Sequence, residues 1–549
     1  MKKLDAESLP NEVEELQRLI VQMAAEHDKK IERLESQIEG ERSERIEQQN
    51  KALGYFEELQ QLRRRLFGRS AERFSEEDRR QLLLFNEAEL IESGGDPRPK
   101  SEVERVAVRA HTRLKRGRKP LPADLPRVVQ IHDIAEEDKA CGCGEELNKI
   151  GEQACEKLEI VPPKVQVRRH VRPKYACRKC EGSGDEDKPA VRIAPAVPQL
   201  LPKSIASPAL IAYMIVSKFC DALPFYRQER QFQRMGVDIS RQDMSNWTIK
   251  VFERVNPLLE LLRRQILSGS AVGIDETTVQ VMGEEGRANT SKSFMWVYKG
   301  GSPEQPAVEY QYHPSRSGKI PLAYLQGYRG YIQTDGYKGY NELGRQGGIE
   351  HAGCWAHVRR GFYEARIILK KTGSADEALA RIDRIFAIER TLRDEDLEPE
   401  LFLERRRSAV EPILEKLRTW LDTRQPQVPP SSLLGKAIEY AVDQWPKLIR
   451  YLDSPYLHPD NNACERAIRP FVIGRKNWVI SGSPAGATAS AGWYSIIESS
   501  KLNGVEPYLY LRYILSHLPD TRDPKDYQAL LPWNIKKESL LDFDSARLY

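Results

Sequence analysis

Between Ser270 and Thr334 the chain runs through four short stretches rich in β-branched and aromatic residues: SAVGIDETTVQVM (270–282), SFMWVY (293–298), AVEYQY (307–312) and GYIQT (330–334). Strands in such close succession predict an antiparallel meander, and the helical patterns that follow make it the start of an α/β sheet. Asp275 falls inside the first stretch. Asp335 follows the fourth, just before Gly336. Two aspartates on strands of one sheet can lie close together, and a carboxylate at a strand's end projects where such sheets bind ligands.

A third carboxylate would complete an oxygen-ligand set for two Mg²⁺ ions, the arrangement that clamps the attacking and leaving oxygens of a phosphoryl displacement. Glu465 is the candidate, inside NNACERAIRPFVIGRKNW (461–478) and surrounded by Arg466, Arg469, Arg475 and Lys476. Two readings stand side by side. Asn462 followed three residues later by Glu465 fits a helix capping box. An acid set among cations also suits a metal ligand beside a polyanion. Between Asp335 and Glu465 the stretch from Ala365 to Leu452 is nearly all helical in pattern, which predicts an inserted helical subdomain at about 366–455. Glu276 is a rival acid that strand alternation turns to the opposite face. Glu498 is a rival that lacks flanking cations.

The chain of 549 residues is several domains' worth, and its net charge of +4 does not by itself announce a nucleic-acid binder. Local runs do more. Apolar positions Val13, Leu16, Ile20, Met23 and later Tyr55, Leu59, Leu62 and Leu66 alternate by three and four, a coiled-coil period. The weakly apolar middle, Gly40 to Gln49, predicts a helix that is interrupted or weakly paired there. The expected role is self-association, against a helix docked on its own protein. A linker punctuated by prolines and glycines carries Arg116, Gly117, Arg118 and Lys119, a cationic run on a thin backbone suited to a narrow minor groove. The other reading is a solvated linker. The longest apolar stretch is far short of a membrane span and the first residues have no signal core, so an intracellular protein is expected.

Cys141-x-Cys143 and Cys177-x-x-Cys180 can close a tetrahedral zinc site, with Cys155 and His170 as spare ligands, although the first arm is short by one residue. Between the pairs Lys164 to Lys174 alternates cations, including Arg168 and Arg172, with valines, which predicts a strand with one cationic face. Gln228 to Arg234, a turn through Ile239, and a helix from Ser240 to Val251 read either as a DNA-binding helix-turn-helix, offering Arg241, Gln242, Asn246 and Lys250, or as a plain helical hairpin.

Taken in order, the segments GRKPLP, HVRPKYACRKC, GIDETTV, TDGYKGY, GCWAHVRRGF, NNACERAIRPFVIGRKNW and KLNGVEPYLYLRYIL resemble the insertion sequence 66 family of DDE transposases over essentially the whole chain. The resemblance implies a ribonuclease H-like catalytic domain in which Asp275, Asp335 and Glu465 hold two Mg²⁺ (or Mn²⁺) ions, and it selects the ligand reading of Glu465. It also implies a zinc-finger-like DNA-binding region. It sets GCWAHVRRGF beside the active site, where His357, Arg359 and Arg360 meet DNA while Cys354 and Trp355 are core. A metal site of His351, Cys354 and His357 is not the expected arrangement. Arg466, Arg469, Arg475 and Lys476 would hold phosphates and Trp478 would stack on a base, against the other reading in which the cations pair with the protein's own acids.

The expected layout is multidomain. It comprises a coiled-coil region (1–91), a basic linker (92–130), a zinc-finger-like region (131–200), a helix-turn-helix-like region (201–262), a catalytic domain (263–515) and a tail (516–549). The implied activity is Mg²⁺-dependent cleavage and strand transfer at the ends of a bacterial insertion sequence. Its partners would be double-stranded DNA, further copies of the chain in a dimer or larger assembly, and accessory proteins of the same element, acting at the nucleoid in the cytoplasm. The alternatives are a non-catalytic DNA-binding regulator or a structure-selective nuclease without strand transfer.

Overall fold

The computed structural model describes residues 12–67, 129, 165–176, 191–369 and 373–545. The chain divides into two compact units, Arg98–Ala194 and the remainder, Met1–Pro97 with Pro195–Tyr549.

In the smaller unit, β1 (Lys174–Ala176) pairs antiparallel with β2 (Val191–Ile193), Lys174 opposite Ile193. The strand expected over 164–174 is therefore cut back to its last residue. Residues 165–173 are extended without regular pairing, and Val165, Val167 and Val171 are all exposed, so the alternation there has no core to face. Arg168 and Arg172 are exposed, and Arg172 donates to the Ala194 carbonyl at 3.0 Å. Cys141, Cys143, Cys155, Cys177 and Cys180, and the linker cations Arg116, Arg118 and Lys119, lie outside the described residues.

The larger unit opens with α1 (Val13–Phe67), one continuous helix of 55 residues. Of the two expectations for Gly40 to Gln49, the interruption is absent. A lone Gly40 costs a helix only about 1 kcal/mol, and the Glu, Arg and Gln residues around it are good helix formers. Val13, Val21, Ile31, Leu34, Ile38, Tyr55 and Leu59 are exposed on this helix. Near its end Glu57 is buried and accepts from the Leu433 amide at 3.1 Å.

Three helices follow: α2 (Pro208–Phe219), α3 (Phe225–Arg234) and α4 (Arg241–Ser268). Ser240 caps α4, its hydroxyl accepting from the Asp243 amide at 3.1 Å. The helix runs well past Val251, through Pro257 to Ser268. Met244, Thr248, Val251 and Val255 are buried on it, whereas Arg241, Gln242, Asn246 and Lys250 are exposed.

The sheet contains β3 (Ala271–Val281), β4 (Lys292–Ser302), β5 (Gln305–His313), β6 (Gly330–Gln333) and β7 (Ile349–Ala352), with the short α5 (Lys319–Tyr324) between β5 and β6. Its spatial order is β5-β4-β3-β6-β7. The first three strands form the antiparallel meander, and β6 and β7 run parallel to β3. Four helices come next: α6 (Trp355–Leu369), α7 (Ser374–Asp394), α8 (Pro399–Arg424) and α9 (Leu433–Leu448). They build a core of their own from Trp355, Phe362, Ile382, Leu417 and Ile438.

The chain then returns to the sheet as α10 (Asn462–Trp478), β8 (Ile480–Ser481) along the far end of β3, and α11 (Pro484–Leu502). It ends in α12 (Pro507–His517), α13 (Pro524–Ala529) and α14 (Lys537–Ser545). One continuous core joins α2 and α4 to the sheet, α10, α11 and α12, with Ile215, Val255, Trp296, Ile468, Trp493 and Leu511 all fully enclosed. Full burial of such side chains stabilises by about 1.5–3 kcal/mol each. Leu530 and Leu540 from the last 34 residues belong to the same core. Among the described residues no helix is long and apolar enough to cross a membrane.

Candidate active site

The parallel pairing of β3 with β6 sets Gly273 opposite Gln333. Asp275 and Asp335 each lie two residues further on, so they share one face of neighbouring strands, which are about 4.8 Å apart in a sheet. Asp275 remains in β3, opposite Val297 of β4, and the Glu276 amide donates to its Oδ1 at 2.8 Å. Asp335 has just left β6, and its Oδ1 accepts from the Tyr337 amide at 2.9 Å, fixing the turn that ends the strand.

Glu465 reaches them from the first turn of α10, 2% exposed. The N-cap of that helix is Asn461, one residue earlier than a capping box with Glu465 requires, and the Asn461 side-chain amide donates to the Ile274 carbonyl at 3.0 Å. The same amide group thus stitches the helix start to the strand beside Asp275. The approach is close enough to need glycine at 273. A Cβ there would meet Asn461 Oδ1 at 2.8 Å and Cys464 Cβ at 3.0 Å.

Burial, and then the charges of Glu276, Glu465 and Asp335, push the Asp275 carboxyl well above the usual carboxylate range. Carboxylates whose charges act on one another in this way repel, and a bound cation would relieve that repulsion. The donor set is hard oxygen, which suits Mg²⁺ or Mn²⁺.

Strand alternation turns Glu276 the other way. It is buried against Arg316 at 2.6 Å and receives the Tyr340 hydroxyl, while the Arg316 guanidinium lies 4.0 Å from the Tyr337 ring centre. Glu498 in α11 pairs with Lys501 at 2.8 Å and is not among the charges that act on Asp275.

Several groups at the site come from the helices between β7 and α10. Tyr440 of α9 lies against Gly336 and feels the charges of Asp335 and Glu465. Lys447 donates to Asn341 Oδ1 at 2.7 Å and lies within the field of Asp335. At the start of α6, Cys354 Sγ is 3.9 Å and His357 Nδ1 is 3.6 Å from Glu465 Oε1. Helical patterning alone does not single out Tyr440 or Lys447. The one local signal was Gly336, a residue with no side chain directly after a candidate acid.

The cations expected to meet DNA divide. Arg475 is buried and donates to the Thr277 and Thr278 hydroxyls, each at 3.2 Å. Arg359 is 3% exposed and pairs with Asp383 at 2.6 Å. Trp478 is half-buried between the Phe219 and Tyr494 rings, with Lys218 Nζ 4.4 Å from its ring centre. Arg360, Arg466, Arg469 and Lys476 are half-buried. The exposed face of α4 keeps Arg241 and Lys250 accessible.

The sequence model described as the Transposase IS66 family matches residues 203–489. The IS66 C-terminal element matches 495–533, the zinc-finger binding domain of transposase IS66 matches 138–181, and the model described as Transposase C of IS166 homeodomain matches 55–129. Among relatives, the Sinorhizobium fredii (strain NBRC 101917 / NGR234) protein named "Uncharacterized protein y4qI" is 30% identical, over 98% of this chain and 99% of its own length. A second protein of that strain, y4jD, is 33% identical over 79% of this chain and 85% of its own. A third, y4hP, is 28% identical over 88% of each. The model matched over the sheet, the helices beside it and Glu465 carries the assignment: the chain belongs to the IS66 family of transposases.

Proposed function

We propose that this chain is a DDE transposase that cuts DNA at the ends of its insertion sequence and joins the freed ends to target DNA, on a ribonuclease H-like fold with a helical insertion. The observation that carries the reading is the register-matched pair Asp275 and Asp335 with Glu465 buried beside them. The meander followed by two parallel strands, and a set of helices with its own core between β7 and α10, support the fold reading.

Asp275, Asp335 and Glu465 would hold two Mg²⁺ ions. Such ions, when bound, lower the pKa of an attacking water and neutralise charge on the leaving oxygen. The protein's own groups do the rest. The acids fix where the scissile phosphate sits, and Arg466, Arg469 and Lys476 on the Glu465 helix bind flanking phosphates. The Tyr440 hydroxyl lies against Gly336, next to Asp335, and its O–H would donate toward a phosphate oxygen. In the first step water attacks phosphorus, the P–O bond to the 3′ oxygen breaks, and that oxygen leaves as a hydroxyl. In the second step the 3′-hydroxyl attacks a target phosphate: a new P–O bond forms, the target strand's own P–O bond to its 3′ oxygen breaks, and that oxygen takes up the proton and leaves as a hydroxyl.

The zinc-finger region, with Cys141, Cys143, Cys177 and Cys180 as ligands, and the exposed face of α4 supply further DNA contacts, in line with the finger family's match over 138–181. The apolar residues exposed along α1 suit pairing with a second copy, which holds two element ends together. The working location is the nucleoid.

The test is cleavage and joining of labelled end DNA with Mg²⁺ or a chelator, using wild type and Glu465→Gln. Both activities should require the metal and be lost in the variant. Cutting that persists in the chelator refutes the mechanism. Cutting without joining points to a nuclease, and binding without cutting to a regulator.

A further inference from the structure

We propose that Cys354, His357 and Glu465 form a three-ligand site for a thiophilic divalent cation of the zinc class, next to the oxygen-ligand centre and sharing Glu465 with it. Each residue offers one donor atom, and the three atoms lie within 4.8 Å of one another. Among the described residues no other group of three metal-type side chains comes as close. Zinc bonded at about 2.0–2.3 Å spaces tetrahedral ligands roughly 3.3–3.8 Å apart. The separations of 3.9 Å (sulfur to carboxylate) and 3.6 Å (imidazole to carboxylate) need only a few tenths of an ångström of adjustment.

The surroundings of two donors point the same way. Cys354 Sγ accepts the Asn461 amide at 3.3 Å, an N–H group that stabilises a thiolate. His357 Nδ1 is enclosed, has no hydrogen-bond partner and faces Glu465. Burial holds the His357 ring below its ordinary pKa, so the nitrogen keeps a lone pair. Burial also holds the Cys354 thiol well above its usual value, so the metal-free residue is an S–H and binding expels that proton to solvent. Three protein donors leave one tetrahedral position open, as in zinc sites that accept a water or a substrate atom.

Sulfur and imidazole are poor ligands for Mg²⁺ and good ones for zinc. A zinc ion held here draws the Glu465 carboxylate toward α6 and away from Asp275 and Asp335. Zinc is then an antagonist of the Mg²⁺-dependent reaction, a consequence that rests on the transposase reading above, whereas the site itself does not.

The test titrates the metal-stripped full-length chain with Co²⁺ alone. Thiolate-to-cobalt charge-transfer absorption and bound metal are compared between wild type, Cys354→Ser and His357→Gln, with folding of each checked by its melting curve. The zinc-finger cysteines are common to all three and cancel in the difference. Wild type should bind one more equivalent than Cys354→Ser, with a matching loss of charge-transfer intensity. His357→Gln should weaken that equivalent on the order of ten-fold or more. Excess Mg²⁺ should not displace it. Identical metal content and spectra in wild type and both folded variants overturn the proposal, and His357→Gln decides alone if Cys354→Ser does not fold. A cobalt difference in a protein with no Mg²⁺-dependent cleavage keeps the site and removes the transposase chemistry. Cleavage without a cobalt difference does the reverse.

Discussion

Replacing Gly336 by alanine places a methyl group 2.5 Å from the Tyr440 hydroxyl and 2.8 Å from its Cζ, and closer still to Cε2. Carbon and oxygen atoms settle at roughly 3.5 Å, so about 1 Å of movement must be found. Tyr440 is largely enclosed, which leaves the turn holding Asp335 as the part that gives. Overpacking of this kind costs about 1–3 kcal/mol, and a misplacement near 1 Å at a catalytic group lowers the rate on the order of 10²-fold. The assay pairs denaturant unfolding with the rate of end cleavage at saturating DNA. Tyr440→Ala combined with Gly336→Ala should recover about 0.5–3 kcal/mol relative to the sum of the single changes, because the clashing ring is gone. Tyr440→Phe should give no such recovery, since it keeps Cε2 and Cζ. Strict additivity with Tyr440→Ala, or a Gly336→Ala protein of wild-type stability and rate, refutes the packing argument.

Arg406→Met should destabilise the chain by about 3–5 kcal/mol in urea unfolding. Arg406 is fully buried, pairs with Glu389 at 2.7 Å and donates to the carbonyls of Tyr451, Ser454 and Leu457, so its loss strips donors from three enclosed oxygens. Burial lowers the His351 pKa to about 3, from an ordinary value near 6.5, so the unfolded chain binds the extra proton between those limits. Its contribution to stability is therefore intact above pH ~6.5 and falls by about 1.4 kcal/mol per pH unit on acidification toward pH 3, a slope that melting curves should show flattened in His351→Gln. Mg²⁺ should raise the melting temperature of wild type but not of Glu465→Gln. The rise should grow with pH, because the raised Asp275 carboxyl must lose its proton to become a ligand.

Much of this arrangement is written locally. The meander was legible because β-branched and aromatic runs with short breaks leave few other options, and Asp275 and Asp335 could be put on one sheet from those runs alone. The Ser240 cap was legible for the same reason: Ser240 and Asp243 form it by themselves. β7, only four residues long, carries too little pattern to separate it from the helix that follows, and α6 accordingly begins at Trp355, ahead of the expected insertion. α4 runs beyond the Val251 expected for it because buried Leu258, Leu262 and Ile266 carry the helix through Pro257 to Ser268. The role of Glu465 could not be decided by its neighbours. A capping box and a ligand share one short pattern, and what excludes the box here is the position of Asn461, a tertiary fact accompanied by its bond to Ile274. Tyr440 lies 105 residues beyond Asp335 in the chain, and only packing brings them together.

How a carboxylate so far along the chain reaches two strand aspartates is explained by the ties on either side of the helical region. Gln333, two residues before Asp335, donates to the His458 carbonyl at 2.6 Å and the Gly353 carbonyl at 3.3 Å. The Trp355 amide donates to the Pro459 carbonyl at 2.8 Å, the Asn461 amide to Cys354 Sγ, and the Asn461 side chain to Ile274. The entry to the helical region and the exit from it are thus bonded to each other and to both aspartate strands. Glu465 is held by this knot of short-range bonds at the region's neck, while Arg406 secures the 450–457 segment leading into it from within. Small changes in the loops that join α7, α8 and α9 can therefore be absorbed without moving Glu465. A change at Gln333, Asn461 or Gly273 acts directly on the distance between Glu465 and the two aspartates.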